Sequence, residues 1–279
     1  MLEKISGKTI FIKLGGSLIT DKNAPHTINY DTLKRVVKEL KEVIDSESEL
    51  NLLVGHGGGS FPHPIAKAFR TAEGLIHAAS ARGFALCQNS ASTLNRIIVD
   101  LMIDYGLNAV SIQPSACCMA VDGEIARIFF EPLASSIKNG FIPVVFGDCV
   151  FDDVRGCTVI STEQILRHLC NYIRPDRVLC FEQVGGVYTS DPMLDTEAQF
   201  IPEITVENLN QQELDSCLGE SYSIDVTGGM REKVHQLLEI AKMGIECEIL
   251  SGREGYVKRA LRGERGLGTV ISRHQHHSD

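Results

Sequence analysis

Short apolar runs that end in glycine alternate with longer amphipathic segments along the chain. The runs "TIFIKLGG" from Thr9 and "LNLLVGHGGG" from Leu50 are typical of buried strands. Between them, "NYDTLKRVVKELKEVIDS" places apolar residues three and four positions apart, which predicts an amphipathic helix. Because strands and helices alternate, we expect an α/β fold whose mostly parallel sheet is covered by helices on both faces.

The second half of the chain keeps the same alternation. We predict helices in "STEQILRHLCNYI" and "TGGMREKVHQLLEIAKMG", and strands in "RVLCFEQ" and "IECEILSG". No fixed-period repeat or low-complexity linker interrupts the pattern. A length of 279 residues suits one large domain.

Composition excludes several classes of protein. A formal net charge of −9 argues against a broad nucleic-acid-binding surface, which needs accumulated lysine and arginine. No apolar run reaches the roughly 18 to 20 residues of a membrane span, and the N-terminus lacks the layout of a signal peptide. The nine cysteines include no CxxC pair, so reduced, buried thiols are expected rather than zinc sites. We therefore predict a cytoplasmic protein.

Four glycine-bearing turns fall at the carboxyl ends of predicted strands. They are "KLGGS", "GHGGGS", "FGD" and "VTGGM". Ligands of parallel sheets bind at this edge, where strand-to-helix turns present free backbone amides. A few local lysines also make a positive pocket possible in an acidic protein. Together the turns predict one anion-binding site.

The first turn, "KLGGSLITDK", combines glycines with two lysines. Gly15 and Gly16 allow close approach of a ligand, Ser17 offers a hydroxyl, and Lys13 and Lys22 bring positive charge. This combination suits a polyphosphate whose charge must be neutralised during transfer. The segment fits neither the Walker A pattern nor GxGxxG. A simple glycine turn with solvated lysines is the alternative.

The second turn, "GHGGGSFPHP", is another candidate for anion binding. Consecutive glycines form concave nests of amide donors, and His63 follows the turn as a possible ligand of a phosphate oxygen. Metal binding by His56 and His63 is disfavoured, because their spacing across a glycine bend gives no reason for the rings to converge. We interpret His56 as a packed or backbone-bonded residue.

The third element, "DVTGGMREKV", predicts a helix that begins after two glycines. Its amino-terminal amides would face a phosphate, with Lys233 one to two turns further along. A glycine-initiated surface helix is the alternative.

Five motifs in this order resemble the amino acid kinase superfamily, and within it the isopentenyl phosphate kinases. They are "KLGGSLITDK", "GHGGGSF.H", "PV.FGD", "GVYTSDP" and "DVTGGM..K", and they span nearly the whole chain. The resemblance implies a three-layer α/β/α sandwich and a single domain over residues 1–272. Within that domain, acceptor-binding and nucleotide-binding lobes would meet near residue 150, followed by a disordered tail over 273–279.

The resemblance also implies an activity and its site. The reaction would transfer a phosphoryl group from ATP with Mg²⁺ to isopentenyl phosphate, in a homodimeric enzyme of isoprenoid biosynthesis. Lys13, Lys22 and His63 would be catalytic. The acceptor would meet Gly57, Gly58, His63 and Gly147. The nucleotide would meet Lys13, Gly15, Gly16, Ser17, Gly58, Glu163, Gly228, Gly229 and Lys233. No protein residue is assigned as a metal ligand.

Three segments depart from the family pattern. "STEQ" at 161–164 stands where many relatives have "SGDD", and "EQVGG" at 182–186 stands where they have "TDVDG". Glu163 preserves a carboxylate able to orient the lysines. Pro62 removes one amide donor from the glycine turn. The "STEQ" and "EQVGG" departures leave open a non-catalytic regulatory homologue. Because fosfomycin-type kinases share part of the motif set, a kinase for another small phosphate or phosphonate such as fosfomycin is a second alternative.

The helix predicted over Ala79–Tyr105 is the expected wall of an apolar acceptor pocket. Its candidate lining residues are Phe84, Leu86, Leu94 and Ile98. Core packing is the expected role of each, since any buried helix carries such residues, and lining of the pocket is the alternative.

Overall fold

The computed structural model describes residues 5–21, 24–207 and 229–274. Within these ranges the strands are β1 (Lys8–Leu14), β2 (Leu50–His56), β3 (Ala109–Ser111), β4 (Cys118–Val121), β5 (Glu124–Ile128), β6 (Ile142–Phe146), β7 (Asp148–Asp152), β8 (Gly156–Ile160), β9 (Arg177–Glu182), β10 (Val187–Tyr188), β11 (Phe200–Ile201), β12 (Glu203–Thr205), β13 (Glu246–Ser251) and β14 (Thr269–Ser272).

The described α-helices are α1 (Gly16–Ile19), α2 (Tyr30–Ser46), α3 (Pro62–Phe69), α4 (Ser80–Asp104), α5 (Pro114–Cys117), α6 (Glu131–Lys138), α7 (Thr162–Leu169), α8 (Gly229–Lys242) and α9 (Tyr256–Leu261). A 3₁₀ turn covers Thr71–Glu73. The strands and helices predicted from periodicity are all present, with ends that shift by a few residues. None of the helices in the described ranges is both long and apolar enough to cross a bilayer.

The central sheet has eight strands in the order β12-β14-β13-β9-β1-β2-β6-β3. Strands β1, β2, β3, β6, β9 and β13 pair in parallel, and β14 is antiparallel to β13. The mostly parallel sheet predicted from the sequence is therefore confirmed. Because β1 lies between β2 and β9, the glycine turns after β1 and β2 meet the "EQ" segment at the end of β9 at one edge of the sheet.

Two apolar clusters cover the two faces of this sheet. Alternate residues of β1 separate between them: Phe11 packs with α6, α7 and α8, whereas Ile10 and Ile12 pack with α2, α4 and α9. This period of two is what a strand buried on both sides requires. The arrangement is the expected three-layer α/β/α sandwich.

A second sheet of four strands, in the order β5-β4-β7-β8, was not predicted. Its strands are short and lack the long apolar runs of the central sheet. The sequence carries one local signal of this sheet, namely the Asp122-Gly123 pair between β4 and β5. Both residues adopt positive φ, as a two-residue hairpin turn requires. The parallel pairing of β4 with β7 is non-local and has no signature in the sequence.

Candidate active site

A cavity of about 570 Å³ opens at the carboxyl ends of β1, β2, β6 and β9. Most of the predicted site residues lie together in its wall, although they come from five separate segments of the chain. Those residues are Lys13, Gly16, Ser17, Gly57, Gly58, His63, Gly147, Glu163, Gly229 and Lys233. Two other predicted residues, Lys22 and Gly228, lie outside the described residues.

A buried cluster of two lysines and two glutamates forms one end of the cavity. Lys13 Nζ lies 2.9 Å from Glu163 Oε1 and 2.7 Å from Glu182 Oε1. Lys233 Nζ also lies 2.7 Å from Glu182 Oε1. One carboxylate oxygen of Glu182 therefore accepts from both lysines, and Glu163 takes the lysine-orienting position predicted for it.

The charges of this cluster are mutually stabilised. Burial alone would lower the pKa of Lys13, but the carboxylates of Glu163 and Glu182 outweigh it and raise that pKa above its usual value. Burial would likewise raise the pKa of Glu182, but Lys13 and Lys233 lower it to about 2. At neutral pH the Lys13 ammonium group and the Glu182 carboxylate are thus charged.

The "STEQ" segment has a defined role for each residue. Ser161 and Gln164 form a capping box at the start of α7, with Ser161 Oγ accepting from Gln164 N at 3.1 Å and Gln164 Oε1 accepting from Ser161 N at 2.8 Å. Thr162 Oγ1 donates to His56 O at 2.7 Å. The cap fixes the first turn of α7, and this turn directs Glu163 to Lys13.

Gly15 does not supply the ligand-binding amide predicted for it. Its N–H donates to Phe181 O at 2.7 Å, and Gly15 is not among the residues that line the cavity. A Cβ at this position would lie 2.2 Å from Glu182 Oε2. The absence of a side chain at Gly15 therefore makes room for the shared carboxylate.

The glycine turn after β2 presents backbone donors to the cavity. The amides of Gly58 and Gly59 find no acceptor among the described residues. Pro62 is the first residue of α3, where a missing N–H costs nothing because that position has no intrahelical acceptor. Its ring packs on Gly58, where a Cβ would lie 2.3 Å from Pro62 Cγ. Pro62 thus shapes the turn, in addition to the loss of a donor that was expected.

His63 and Lys67 lie one turn apart on α3 and both line the cavity. This spacing of four residues places two side chains on one face of a helix. Lys67 was not predicted as a site residue, although its position four residues after His63 indicates the same face of a helix. This part of the cavity wall therefore carries a lysine in addition to His63.

The described lining is not positive by side-chain count. Three lysines and five carboxylic acids line it: Lys13, Lys67, Lys233, Asp148, Glu163, Glu182, Asp191 and Glu232. Burial raises the pKa of Asp148 to about 6, although the amides of Ser115 and Cys149 donate to its carboxylate at 3.0 and 2.8 Å. Binding of an anion here must rely on backbone amides as well as on lysines.

Helix α4 contributes to the cavity wall through a residue that was not predicted. Cys87 lines the cavity, whereas Phe84, Leu86, Leu94 and Ile98 do not. Leu94 and Ile98 pack in the core beneath α2, and Phe84 stacks on a phenylalanine of β7. Core packing, the expected role of these residues, is confirmed for Leu94 and Ile98. Cys87 was not predicted, because periodicity does not tell which apolar face meets a cavity.

An apolar end of the cavity lies beside Cys87. Its lining residues are Pro62, Ala66, Cys87, Val159 and Ile160. They come from α3, α4 and β8, so the second sheet supplies one side of this apolar end. No group of three or more His, Cys, Asp or Glu side chains in the described ranges is arranged to hold a metal ion.

Comparison with known proteins gives consistent results. Residues 8–251 match the Amino acid kinase family. The chain is 37% identical over 272 residues to the isopentenyl phosphate kinase of Methanothermobacter thermautotrophicus, covering 94% of this chain and 98% of that protein. It is 34% identical over 234 residues to the isopentenyl phosphate kinase of Methanocaldococcus jannaschii, covering 81% and 85%.

The fold is also similar to a solved structure. An X-ray structure of an isopentenyl phosphate kinase superposes with a TM-score of 0.81 at 34% sequence identity, covering 95% of this chain and all of that chain.

The Glu182 carboxylate, which Lys13 and Lys233 share, leads to a prediction about stability. We expect Glu182→Gln to lower the free energy of unfolding at pH 7 by about 3 kcal/mol, because two buried ammonium groups lose their common partner. The folded-state pKa of Glu182 lies below its usual value, so this stabilisation is present above about pH 4.5 and is lost as the pH falls towards 2. Urea denaturation at several pH values measures both effects.

The control is Glu42→Gln, which removes an exposed partner of Lys258. We expect the control to leave the free energy of unfolding nearly unchanged, since solvent screens exposed pairs. A deficit of the Glu182 variant that stayed constant between pH 7 and pH 2 would contradict the assignment.

Proposed function

The chain belongs to the amino acid kinase family, and from that premise we propose that it phosphorylates isopentenyl phosphate with ATP, giving isopentenyl diphosphate and ADP for isoprenoid biosynthesis. Family membership confirms the resemblance drawn from the five motifs. The observation that supports the proposal best is the single cavity joining the lysine–glutamate cluster to the glycine turn, His63 and the apolar end.

The acceptor occupies the end of the cavity that combines amides with apolar side chains. Its phosphate lies against the amide of Gly58 and is held by His63, with Lys67 on the same helix face. The amides of Gly57 and Gly147, which were predicted as acceptor contacts, donate instead to Leu14 O at 2.9 Å and to His56 O at 3.3 Å. The five-carbon chain extends towards Cys87, where apolar contact favours a hydrocarbon.

The nucleotide phosphates occupy the end with the ion cluster. Gly16 and Ser17 have amides that find no acceptor in the described chain, and they form the first turn of α1. Lys13 and Lys233 face the same space, which continues to the start of α8 at Gly229. We retain Lys22 and Gly228 as predicted contacts of the transferring phosphoryl group and of the nucleotide, respectively.

The transfer needs no general base. A phosphate monoester has a second pKa of about 6, so the acceptor oxygen is already ionised and nucleophilic near neutral pH. That oxygen attacks the γ-phosphorus of ATP, the bond from this phosphorus to the β–γ bridging oxygen breaks, and ADP leaves with the electron pair. The task of the protein is to hold two anions together, which lysines and fixed amide dipoles accomplish.

Magnesium fits the composition of the cavity. Asp191 and Glu232 line it and accept from no lysine or arginine within the described ranges, whereas Glu163 and Glu182 are committed to Lys13. Mg²⁺ prefers one or two carboxylates together with substrate phosphates and water, so Asp191 and Glu232 would hold it. Bound there with the nucleotide, the ion would supply neutralisation of phosphate charge.

We also propose a homodimer and a cytoplasmic location. The homodimer rests on the family resemblance, and the location rests on the composition of the sequence. Light scattering after size-exclusion chromatography tests the dimer, whose mass would be twice that of the 30.6 kDa chain.

The central experiment offers the purified protein ATP and Mg²⁺ with isopentenyl phosphate, dimethylallyl phosphate or fosfomycin, and follows release of ADP. We expect turnover with isopentenyl phosphate. Turnover of fosfomycin alone would show that isopentenyl phosphate is not the acceptor. ATP binding without turnover of any acceptor would favour a regulatory role.

His63→Ala tests the role of the histidine. We expect the KM for isopentenyl phosphate to rise about 10- to 100-fold, because one charged-acceptor hydrogen bond is lost, while the KM for ATP changes less than about twofold. His77→Ala, which alters an exposed histidine, is the control. Equal increases in both KM values would argue against a role confined to the acceptor.

Cys87→Leu tests the apolar end of the cavity. The larger side chain takes space from the hydrocarbon, so we expect roughly a tenfold loss of kcat/KM for isopentenyl phosphate. Cys87→Ala keeps the space open and is the matched control. Equal activity of the two variants would mean that the five-carbon chain lies elsewhere.

A further inference from the structure

The first histidine of the glycine turn, His56, is absent from both the proposed acceptor contacts and the ion cluster. Its side chain is completely buried and stacks on Phe146, with ring centroids 5.4 Å apart. Nδ1 lies 3.1 Å from Gly57 O, and Nε2 lies 3.2 Å from Asn95 Nδ2. Both ring nitrogens therefore have partners, one on the turn and one on α4.

The partners determine which nitrogen of His56 bears the proton. A carbonyl oxygen only accepts, so Nδ1 donates to Gly57 O. Burial lowers the pKa of His56 to about 4, which leaves the ring neutral near neutral pH. Nε2 then accepts from the amide of Asn95, whose Oδ1 accepts from Ser111 Oγ at 2.5 Å. A chain of three hydrogen bonds thus runs from β3 to the glycine turn.

The preceding peptide group, between His56 and Gly57, is also fixed. The amide of Gly57 donates to Leu14 O at 2.9 Å, and His56 O accepts from Thr162 Oγ1 at 2.7 Å and from Gly147 N at 3.3 Å. These bonds do not involve the next peptide group, which joins Gly57 to Gly58. A peptide between two glycines has little steric resistance to rotation, so it needs a partner to hold its direction.

His56 supplies that partner. In a planar trans peptide the C=O and N–H point in opposite directions, so a donor fixed on Gly57 O also fixes the direction of the Gly58 N–H. Gly58 lines the cavity, and its N–H finds no acceptor among the described residues. If the peptide turned over, a carbonyl oxygen would replace this donor and would repel an anion.

We propose that His56 is a positioning residue that orients the Gly58 amide towards the acceptor phosphate through its Nδ1–H bond to Gly57 O. This inference rests on the proposed function, because it assigns the anion at Gly58 to the acceptor. Asn95 and Ser111 support it by keeping the proton on Nδ1.

Two variants separate this role from simple packing. Asn at position 56 places an amide donor near the place of Nδ1, whereas Gln places one near the place of Nε2. Both lose the ring stacking on Phe146. We expect His56→Gln to raise the KM for isopentenyl phosphate about tenfold or more and His56→Asn to raise it less than about threefold, with the KM for ATP within about twofold in both. Equal KM values for the two variants would overturn the proposal.

Measurements on the unaltered protein keep the proposal testable if either variant does not fold. Long-range ¹H–¹⁵N spectra identify the His56 tautomer, and we expect a neutral ring protonated at Nδ1. A ring protonated only at Nε2 would overturn the proposal, because it has no donor for Gly57 O.

The proposed function and this inference fail in different ways. If the unaltered protein does not turn over isopentenyl phosphate, the proposed function fails, and inorganic phosphate becomes the probe. We then expect phosphate to shift the Gly58 amide resonance of ¹⁵N-glycine-labelled protein and of its His56→Asn variant, but not of His56→Gln. The same shift in both variants, or in none of the proteins, would overturn the role of His56.

Discussion

The carboxylate of Glu182 holds the catalytic end of the cavity together. Lys13 lies on β1 and Lys233 on α8, more than 200 residues apart, and both side chains meet at one oxygen of this carboxylate. Glu182 lies at the end of β9, next to β1 in the sheet, so strand order brings it to Lys13. Glu163 adds a second carboxylate from α7. Because the lysines are held in advance, little reorganisation is needed when phosphates arrive.

The opposite end of the cavity depends on backbone groups. A glycine turn offers amide donors without the desolvation cost of more buried lysines, but glycine also makes the turn conformationally free. The structure offsets that freedom with hydrogen bonds from every side, namely from Thr162 and Gly147 to His56 O and from His56 to Gly57 O. Residues that depart from the family pattern take part in this support, since Thr162 belongs to "STEQ" and Pro62 packs on Gly58.

The charged side chains of the cavity do not by themselves account for the binding of an anion. Carboxylic acids outnumber lysines in the described lining, so the net charge of the side chains does not favour anions in general. In the proposed function, selectivity follows from geometry, because the acceptor must meet an oriented amide and also present a hydrocarbon to the apolar end near Cys87. In the proposed function, nucleotide phosphates would instead meet Lys13 and Lys233 at the other end. Two ends with different binding groups agree with phosphoryl transfer from one phosphate to another, a reaction that needs no general base here.

The sequence by itself determined the elements whose signals are local. Apolar periodicity predicted the strands and helices of the central sheet, and the glycine turns with Lys13, His63 and Lys233 predicted one site, in an order that resembles a known family. Tertiary structure decided what depends on pairing between distant segments. Glu182 was read only as a departure from the family pattern, and the four-stranded second sheet was missed. Cys87 rather than Leu94 meets the cavity, because the same helical period serves a core face and a cavity face alike.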